Sequence, residues 1–248
     1  MNTNIEKEKD KIANFLLIEE PEAHIHTHIQ KALFDKLNYT DTQIIYSTHS
    51  THISEVSNIS NMNILGKFRN YSEVYQPFIG LKEEEIVKTQ RFLDAIRSNL
   101  LFAKSVILVE GDAEEILIPI MVKQTLGVSL DELGISIINI RSTGFENLAQ
   151  LFHNQRIKKK VRNYNRFRHI NYRTKKQKLL KGEKQEKKKL DALKKRNKWI
   201  GVFYAPYTFE IDFLKANNKD EVLSTIKDVY VDKTAIQKIG KRYKFKGY

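Results

Sequence analysis

The chain has 248 residues, no cysteine, and 43 Lys/Arg against 30 Asp/Glu, a formal net charge of +13. Without cysteine there is neither a disulfide framework nor a thiolate metal site. No apolar run reaches the ~18 residues of a membrane span, and Met1 to Lys7 does not open a signal peptide, so we expect a cytoplasmic protein with no membrane partner, built as one large domain or two modest ones.

The charge is local. Between Arg156 and Lys198 there are 20 Lys/Arg against three acids, Glu183, Glu186 and Asp191, while the rest of the chain carries 23 basic and 27 acidic residues. Such a segment is either a phosphate-contacting surface for DNA or a solvated charged helix from about Thr174 to Lys198.

In chain order, Phe15-Leu16-Leu17-Ile18 runs into Glu19-Glu20-Pro21-Glu22-Ala23-His24. Four apolar residues ending in carboxylates predict a buried strand with acids at its tip. Ile29, Ala32, Leu33 and Leu37 then have helical spacing, and Gln43-Ile44-Ile45-Tyr46 is a second strand, ending in Ser47-Thr48-His49-Ser50. Strand, helix, strand is a parallel crossover unit. The first strand resembles the Walker B strand of ABC-type ATPases. That resemblance implies that Glu19 helps hold Mg²⁺, Glu20 polarises the attacking water, and His49 is the switch histidine that meets the γ-phosphate of ATP. Glu in place of the usual Asp, followed by Pro-Glu-Ala-His, is similar to the OLD (overcoming lysogenization defect) proteins. His24, His26, His28 and His52 lack partners at zinc-ligand spacing and are read as loop or helix residues. No Gly-x-x-x-x-Gly-Lys-Ser/Thr occurs anywhere in the sequence, although phosphate binding in such ATPases depends on it. The expectation is a chain truncated ahead of the Walker B strand.

Met62 to Leu65 and Ser72 to Tyr75 predict two short strands that finish the ATPase sheet. Leu81 to Phe102 predicts one helix, with Ile86, Leu93, Ile96, Leu100 and Leu101 as its apolar stripe. We place an ATPase part at 1–80, a connecting helix at 81–104, and a second domain at 105–248.

That domain begins with Val106-Ile107-Leu108-Val109-Glu110-Gly111-Asp112-Ala113-Glu114-Glu115. A continuous apolar run bounded by Gly predicts a strand buried on both faces. Glu110 then stands at its carboxyl end, where open α/β sheets bind their ligands, and a helix from about Asp112 carries Glu114 on its first turn. Two converging carboxylates suit a hard cation, Mg²⁺ or Mn²⁺; the helix dipole alone also favours acids there. Strand, Glu-Gly-x-x-acid and helix resemble the first motif of a Toprim domain, and the wording is closest to the OLD family of ATP-dependent nucleases, which includes the Gabija defence nuclease. The implied fold is α/β, a partial ABC-type ATPase sheet followed by a Rossmann-like Toprim domain. The implied function is ATP-regulated, metal-dependent DNA cleavage in phage defence or DNA processing. The resemblance also implies homo-oligomers and, as in Gabija, a helicase-like partner.

Ile135 to Ile140 is the next strand, and Ser142 to Leu148 resembles the family's Gly turn, with a helix to Phe152. Ile200 to Tyr204 is another strand. The Thr208-Phe209-Glu210-Ile211-Asp212 beyond it resembles the family's Thr-x-Glu-x-Asp, which makes Glu210 either a second-metal ligand or a surface acid. Tyr243 to Tyr248 is similar to the start of a Lys-Gly-x-Phe-Ala element, which implies that Lys246 stabilises phosphate charge; the chain stops inside it.

One part is missing. The family needs an Asp-x-Asp strand after the Gly turn, because two metals about 4 Å apart require more carboxylates than Glu110 and Glu114 supply. The expected place, Lys158 to Ile170, contains no acid and does not read as a buried strand, since its charges would be costly in a core. One A/T-rich coding of Arg162 to His169 is AGA AAT TAT AAC AGA TTT AGA CAT. One base later the same letters read GAA ATT ATA ACA GAT TTA GAC, or Glu-Ile-Ile-Thr-Asp-Leu-Asp. The expectation is a small frameshift near Val161, with the frame regained before Ile200. The alternative function is accordingly a catalytically inactive, DNA-associating remnant or interaction module.

Overall fold

The computed structural model describes residues 14–36, 42–68, 70–93, 97–141, 145–166, 176–205, 209–232, 234 and 237. Strand β1 (Asn14–Glu19), helix α1 (Thr27–Lys36) and strand β2 (Thr42–Ser47) form the expected crossover, with β1 and β2 parallel and in register from Asn14↔Thr42 to Glu19↔Ser47. The expectation of a buried β1 is corrected. Phe15, Leu16 and Leu17 are 60%, 41% and 73% exposed; among the described residues this sheet has two strands, whereas a buried parallel sheet is covered on both faces.

Helix α2 (Thr51–Val56) starts from Ser50, whose hydroxyl accepts the amide of Ile53, an ordinary serine N-cap. Strands β3 (Ile64–Phe68) and β4 (Tyr71–Tyr75) then pair antiparallel as a sheet of their own. They do not finish the β1–β2 sheet as the sequence predicts. Their short connection permits only a hairpin, and Gly66 is needed in it: a Cβ there would stand 2.3 Å from the Tyr75 ring.

The single helix expected over 81–102 is two, α3 (Glu83–Phe92) and α4 (Asn99–Phe102). Leu100 and Leu101 are adjacent in sequence and both buried, as is Leu93. Their joint burial fits one helical stripe, but Leu93 leaves helical geometry (φ −88, ψ 87), which ends α3 after Phe92.

The third sheet is the core of the molecule. Strands β5 (Ser105–Val109), β6 (Ile135–Asn139), β7 (Lys160–Arg166) and β8 (Ile200–Ala205) are all parallel, in the order β6-β5-β7-β8. Helices α5 (Asp112–Leu126), α6 (Phe145–Ala149) and α7 (Lys176–Arg196) connect them, and α8 (Phe209–Lys215) and α9 (Lys219–Val229) follow. Val106, Leu108, Ile138, Phe145, Leu148 and Phe152 are at most 1% exposed and fill the centre. The architecture is the expected α/β, with a parallel Rossmann-like sheet.

Strand β7 is the main correction. The basic stretch that did not read as a strand lies at the middle of the sheet, hydrogen-bonded on both sides, to β5 over Ser105↔Lys160 to Leu108↔Asn163 and to β8 over Val161↔Ile200 to Arg166↔Ala205. The expectation assumed two dry faces. In β8, Ile200 and Val202 are 4% exposed while Phe203, on the opposite face, is 56% exposed. Arg162 pairs with Gly201 on that open face, its side chain lying where a Cβ on Gly201 would be, 2.7 Å from the Arg162 Cδ. A charged strand is tolerated because one face is wet and its backbone is satisfied on both edges.

Among the described residues no helix is long and apolar enough to cross a membrane.

Candidate functional site

Two carboxylate-bearing strand ends face the chemistry that the sequence assigns. At the first, Glu20 follows β1 with φ +44, and its amide donates to the Ser47 carbonyl at 2.9 Å, extending the ladder with β2. A left-handed backbone is uncommon for a non-glycine residue and is held only where surroundings fix it. It brings the Glu20 carboxylate into contact with Nδ1 of His49, at the end of the neighbouring strand. The structure thus brings Glu20 and His49 together, while Glu19 is the exposed last residue of β1.

Glu22 organises this corner, and the sequence reading gave it no role. Its Oε1 accepts the Thr48 hydroxyl at 2.6 Å and the amides of His49 and Ser50, each at 3.1 Å; it also lies 3.6 Å from His49 Nδ1. Burial pushes its carboxyl up, but the Thr48 hydroxyl and the backbone amides outweigh that and hold it below the ordinary carboxylate range. The signal available was position: an acid two residues beyond the Walker B-like pair, behind a proline. Among the described residues, Glu20, Glu22 and His49 are the group of metal-ligating side chains whose ligand atoms converge, all within 4.8 Å of one another.

The second corner is the carboxyl edge of the four-stranded sheet. Chain order runs from β5 outward to β6, then back across to β7, so connections leave β5 in opposite directions. A crevice between β5 and β7 is where such sheets take ligands. Glu110 follows β5, half-buried, and Gly111 caps α5. Of the α5 residues only Glu114 is buried, at 0% exposure, although Ile116, Ile120 and Met121 of the same helix are 61%, 53% and 44% exposed. A helix that turns a glutamate inward in preference to three apolar side chains is unusual, and it makes Glu114 the candidate carboxylate of this corner.

Asn139, at the end of β6 and 6% exposed, is a further residue that the sequence reading missed. Its amide donates to Asp112 Oδ1 at 2.7 Å and to Glu115 Oε2 at 2.9 Å, while its oxygen accepts the Arg141 amide at 3.0 Å. The two outer acids are therefore tied to the neighbouring strand, and the Glu110–Glu114 turn is fixed between them. Arg141, with φ +56, approaches Asp112 at 3.7 Å. Nothing but a paired strand in the sheet order could have pointed to Asn139.

Glu210 is an exposed residue on the first turn of α8. Lys246, the Gly turn at 142–144 and the stretch 167–175 lie outside the described residues. Strand β7, which borders the crevice, reads Lys-Val-Arg-Asn-Tyr-Asn-Arg and brings no carboxylate.

The basic segment divides in two. Arg156 donates to the carbonyls of Ile79 (2.7 Å) and Gln150, Lys158 pairs with Glu73 of β4, and Lys159 donates to the Leu101 carbonyl at 2.6 Å. These cations tie the hairpin and α4 to the parallel sheet. Burial lowers the Arg156 guanidinium from its ordinary value and lowers Lys159 to about 8. By contrast Lys188, Lys194 and Lys195 of α7 are exposed, while Leu190 and Asn197 pack inward.

Residues 101–162 match the family described as overcoming lysogenization defect protein-like, TOPRIM domain, and residues 2–54 match the AAA ATPase domain family. No curated protein matches the chain. Among solved structures, the chain is similar to the C-terminal region of the Burkholderia pseudomallei OLD protein, at 23% identity over 55% of this chain and 71% of that one, with a TM-score of 0.40. It is also similar to the C-terminal region of the Xanthomonas campestris pv. campestris OLD protein, at 18% identity over 56% and 70%, again with a TM-score of 0.40.

Proposed function

We propose that this chain, which carries an OLD-like Toprim domain at 101–162 behind AAA ATPase-like residues 2–54, acts as an ATP-regulated, divalent-metal-dependent DNA endonuclease. The observation that carries the reading is Glu114, a fully buried glutamate on the first turn behind Glu110 at the carboxyl end of β5. In this reading Glu110 and Glu114 hold Mg²⁺ or Mn²⁺. Both side chains offer oxygen donors at a strand end, which hard cations favour. When bound, the metal supplies an activated water and charge stabilisation at the leaving 3′ oxygen. The chain's own part is positional: Asn139 holds Asp112 and Glu115, which fixes the turn that presents Glu110 and Glu114. At the other corner Glu20 and His49 serve nucleotide chemistry. DNA lies along the exposed lysines of α7. Homo-oligomers, a helicase-like partner, a cytoplasmic setting and a role in phage defence belong to the same proposal. The test is cleavage of supercoiled plasmid with Mg²⁺ or Mn²⁺. Cleavage lost in both Glu110→Gln and Glu114→Gln supports the reading; cleavage that survives both refutes it.

A second reading, a catalytically silent DNA-associating remnant, is favoured by one observation. The Toprim match ends at Arg162, the residue at which the alternative frame begins. In that frame the first Asp of Asp-x-Asp falls on position 166, the last residue of β7, on the edge of the sheet that carries Glu110. The gene sequence tests this reading: if no single-base shift near Val161 encodes an Asp-x-Asp strand, the frameshift fails.

A further inference from the structure

We propose that Glu20, Glu22 and His49 form a binding site for a divalent transition-metal ion of the imidazole-and-carboxylate class, Zn²⁺ or Mn²⁺. One ligand atom from each residue lies within 4.8 Å of the others, so small side-chain rotations close them around an ion at the ~2.0–2.2 Å of metal–nitrogen and metal–oxygen bonds.

Proximity is joined by an independent observation. The Glu22 side chain is only 9% exposed. Its Oε1 is occupied by Thr48, His49 and Ser50, yet its Oε2 is buried and accepts no hydrogen bond. Glu20 Oε2 is likewise buried, touching His49 Nδ1 but accepting no hydrogen bond in good geometry. Glu22 Oε2 therefore lies without a donor among the described residues, beside the Glu20–His49 pair, whose positive charge, when His49 is protonated, sits on the imidazole. A dication neutralises both carboxylates and takes the imidazole as its third ligand.

The donor set selects the ion. Mg²⁺ prefers an octahedral oxygen shell and keeps its waters, whereas imidazole nitrogen with carboxylates suits Zn²⁺ or Mn²⁺. The backbone makes the site firm, because the hydrogen bonds from the 48–50 loop hold Glu22 and the left-handed φ of Glu20 aims its carboxylate across β2. Three protein ligands leave a position open for water or an anion. The site differs from the Mg²⁺ place expected beside Glu19 and requires no nucleotide. On the reading proposed above, however, such an ion and ATP compete for Glu20 and His49.

The experiment is Mn²⁺ titration of the purified chain with ¹⁵N-labelled histidine, without nucleotide. The chain has seven histidines. Paramagnetic broadening should reach His49 first, at substoichiometric Mn²⁺, with Zn²⁺ displacing the effect and Mg²⁺ at equal concentration leaving it. In Glu22→Gln the Mn²⁺ needed should rise by roughly tenfold or more, with the histidine spectrum otherwise retained. Broadening that appears first at His24, His26 or His28 overturns the proposal, as does broadening of His49 at unchanged Mn²⁺ in Glu22→Gln. Should Glu22→Gln fail to fold, the order of broadening in the wild-type chain decides alone. These readouts are independent of nuclease or ATPase activity.

Discussion

Replacing Lys159 with methionine should remove a specific pH dependence of stability. Its amine is half-buried beneath α4, donating to the Leu101 carbonyl, and burial lowers its pKa from 10.5 to about 8. A lysine whose folded pKa is depressed binds fewer protons folded than unfolded between those two values. Stability therefore rises with pH from about 8 to about 10.5 and is flat on either side. At about 1.36 kcal/mol per pKa unit the gain has an upper bound of ~3 kcal/mol; solvent reaching a half-buried amine reduces this to about 1–2 kcal/mol. Lys159→Met keeps the stem and removes the titration, while the lost bond to Leu101 costs about 1 kcal/mol at every pH. Urea unfolding of both proteins at pH 7.5 and 9.5 isolates the term, because the other titrating groups and the general easing of positive charge are common to the two. The difference between wild type and variant should widen in favour of wild type by about 1–2 kcal/mol at the higher pH. An identical pH response in the two proteins would show that the Lys159 amine is not desolvated.

Three further outcomes follow from the two corners and the basic segment. The purified chain should release no phosphate from ATP, since a Walker B-like strand and His49 are present without a phosphate loop; DNA-stimulated release abolished by Glu20→Gln would contradict this. Lowering the pH through and below the usual carboxylate range should loosen the 48–50 loop, because a depressed pKa contributes stability above the unfolded value and loses it as the folded value is crossed. Amide exchange at His49 and Ser50 reads the loosening, and it should be absent in Glu22→Gln, whose loop is already weaker by about 1–3 kcal/mol. Lys188→Glu with Lys195→Glu should weaken DNA binding and flatten its salt dependence between about 50 and 200 mM; an unchanged salt slope would remove α7 from the interface.

What the sequence made legible follows physical lines. The strands β1, β2, β5, β6 and β8 announce themselves as short apolar runs ending in Gly or polar residues, and the crossover between β1 and β2 follows from one helix of correct period. Asp112 to Leu126 was legible as a helix because an acidic first turn and an apolar sequence coincide. Strand β7 was illegible for the opposite reason. Its pairing is decided by backbone ladders on both edges and by the glycine opposite Arg162, none of which appears in its own side chains. The continuous helix over 81–102 failed at Leu93, whose non-helical backbone (φ −88, ψ 87) leaves no mark in the spacing of the apolar side chains.

Charge count also conceals direction. The run from Arg156 to Lys198 looks uniform in sequence, yet its first three cations point inward to Ile79, Gln150, Leu101 and Glu73. Three of those four partners are backbone carbonyls, which have no sequence signature. Lys160 on β7 and described lysines of α7 such as Lys188 and Lys195 face solvent instead. A polyanion therefore meets a shorter surface than composition implies, and Arg156, Lys158 and Lys159 act on stability in place of affinity. The same inward pull explains how an acid-free segment occupies the place of an acidic one. Three cations anchor its approach to the hairpin and to α4, so β7 enters the sheet beside β5 whatever its tip carries. The fold can then persist with Glu110 and Glu114 in place while the opposite wall of the crevice contributes no ligand. Restoring carboxylates at the β7 tip should therefore alter metal binding without altering the order of the strands.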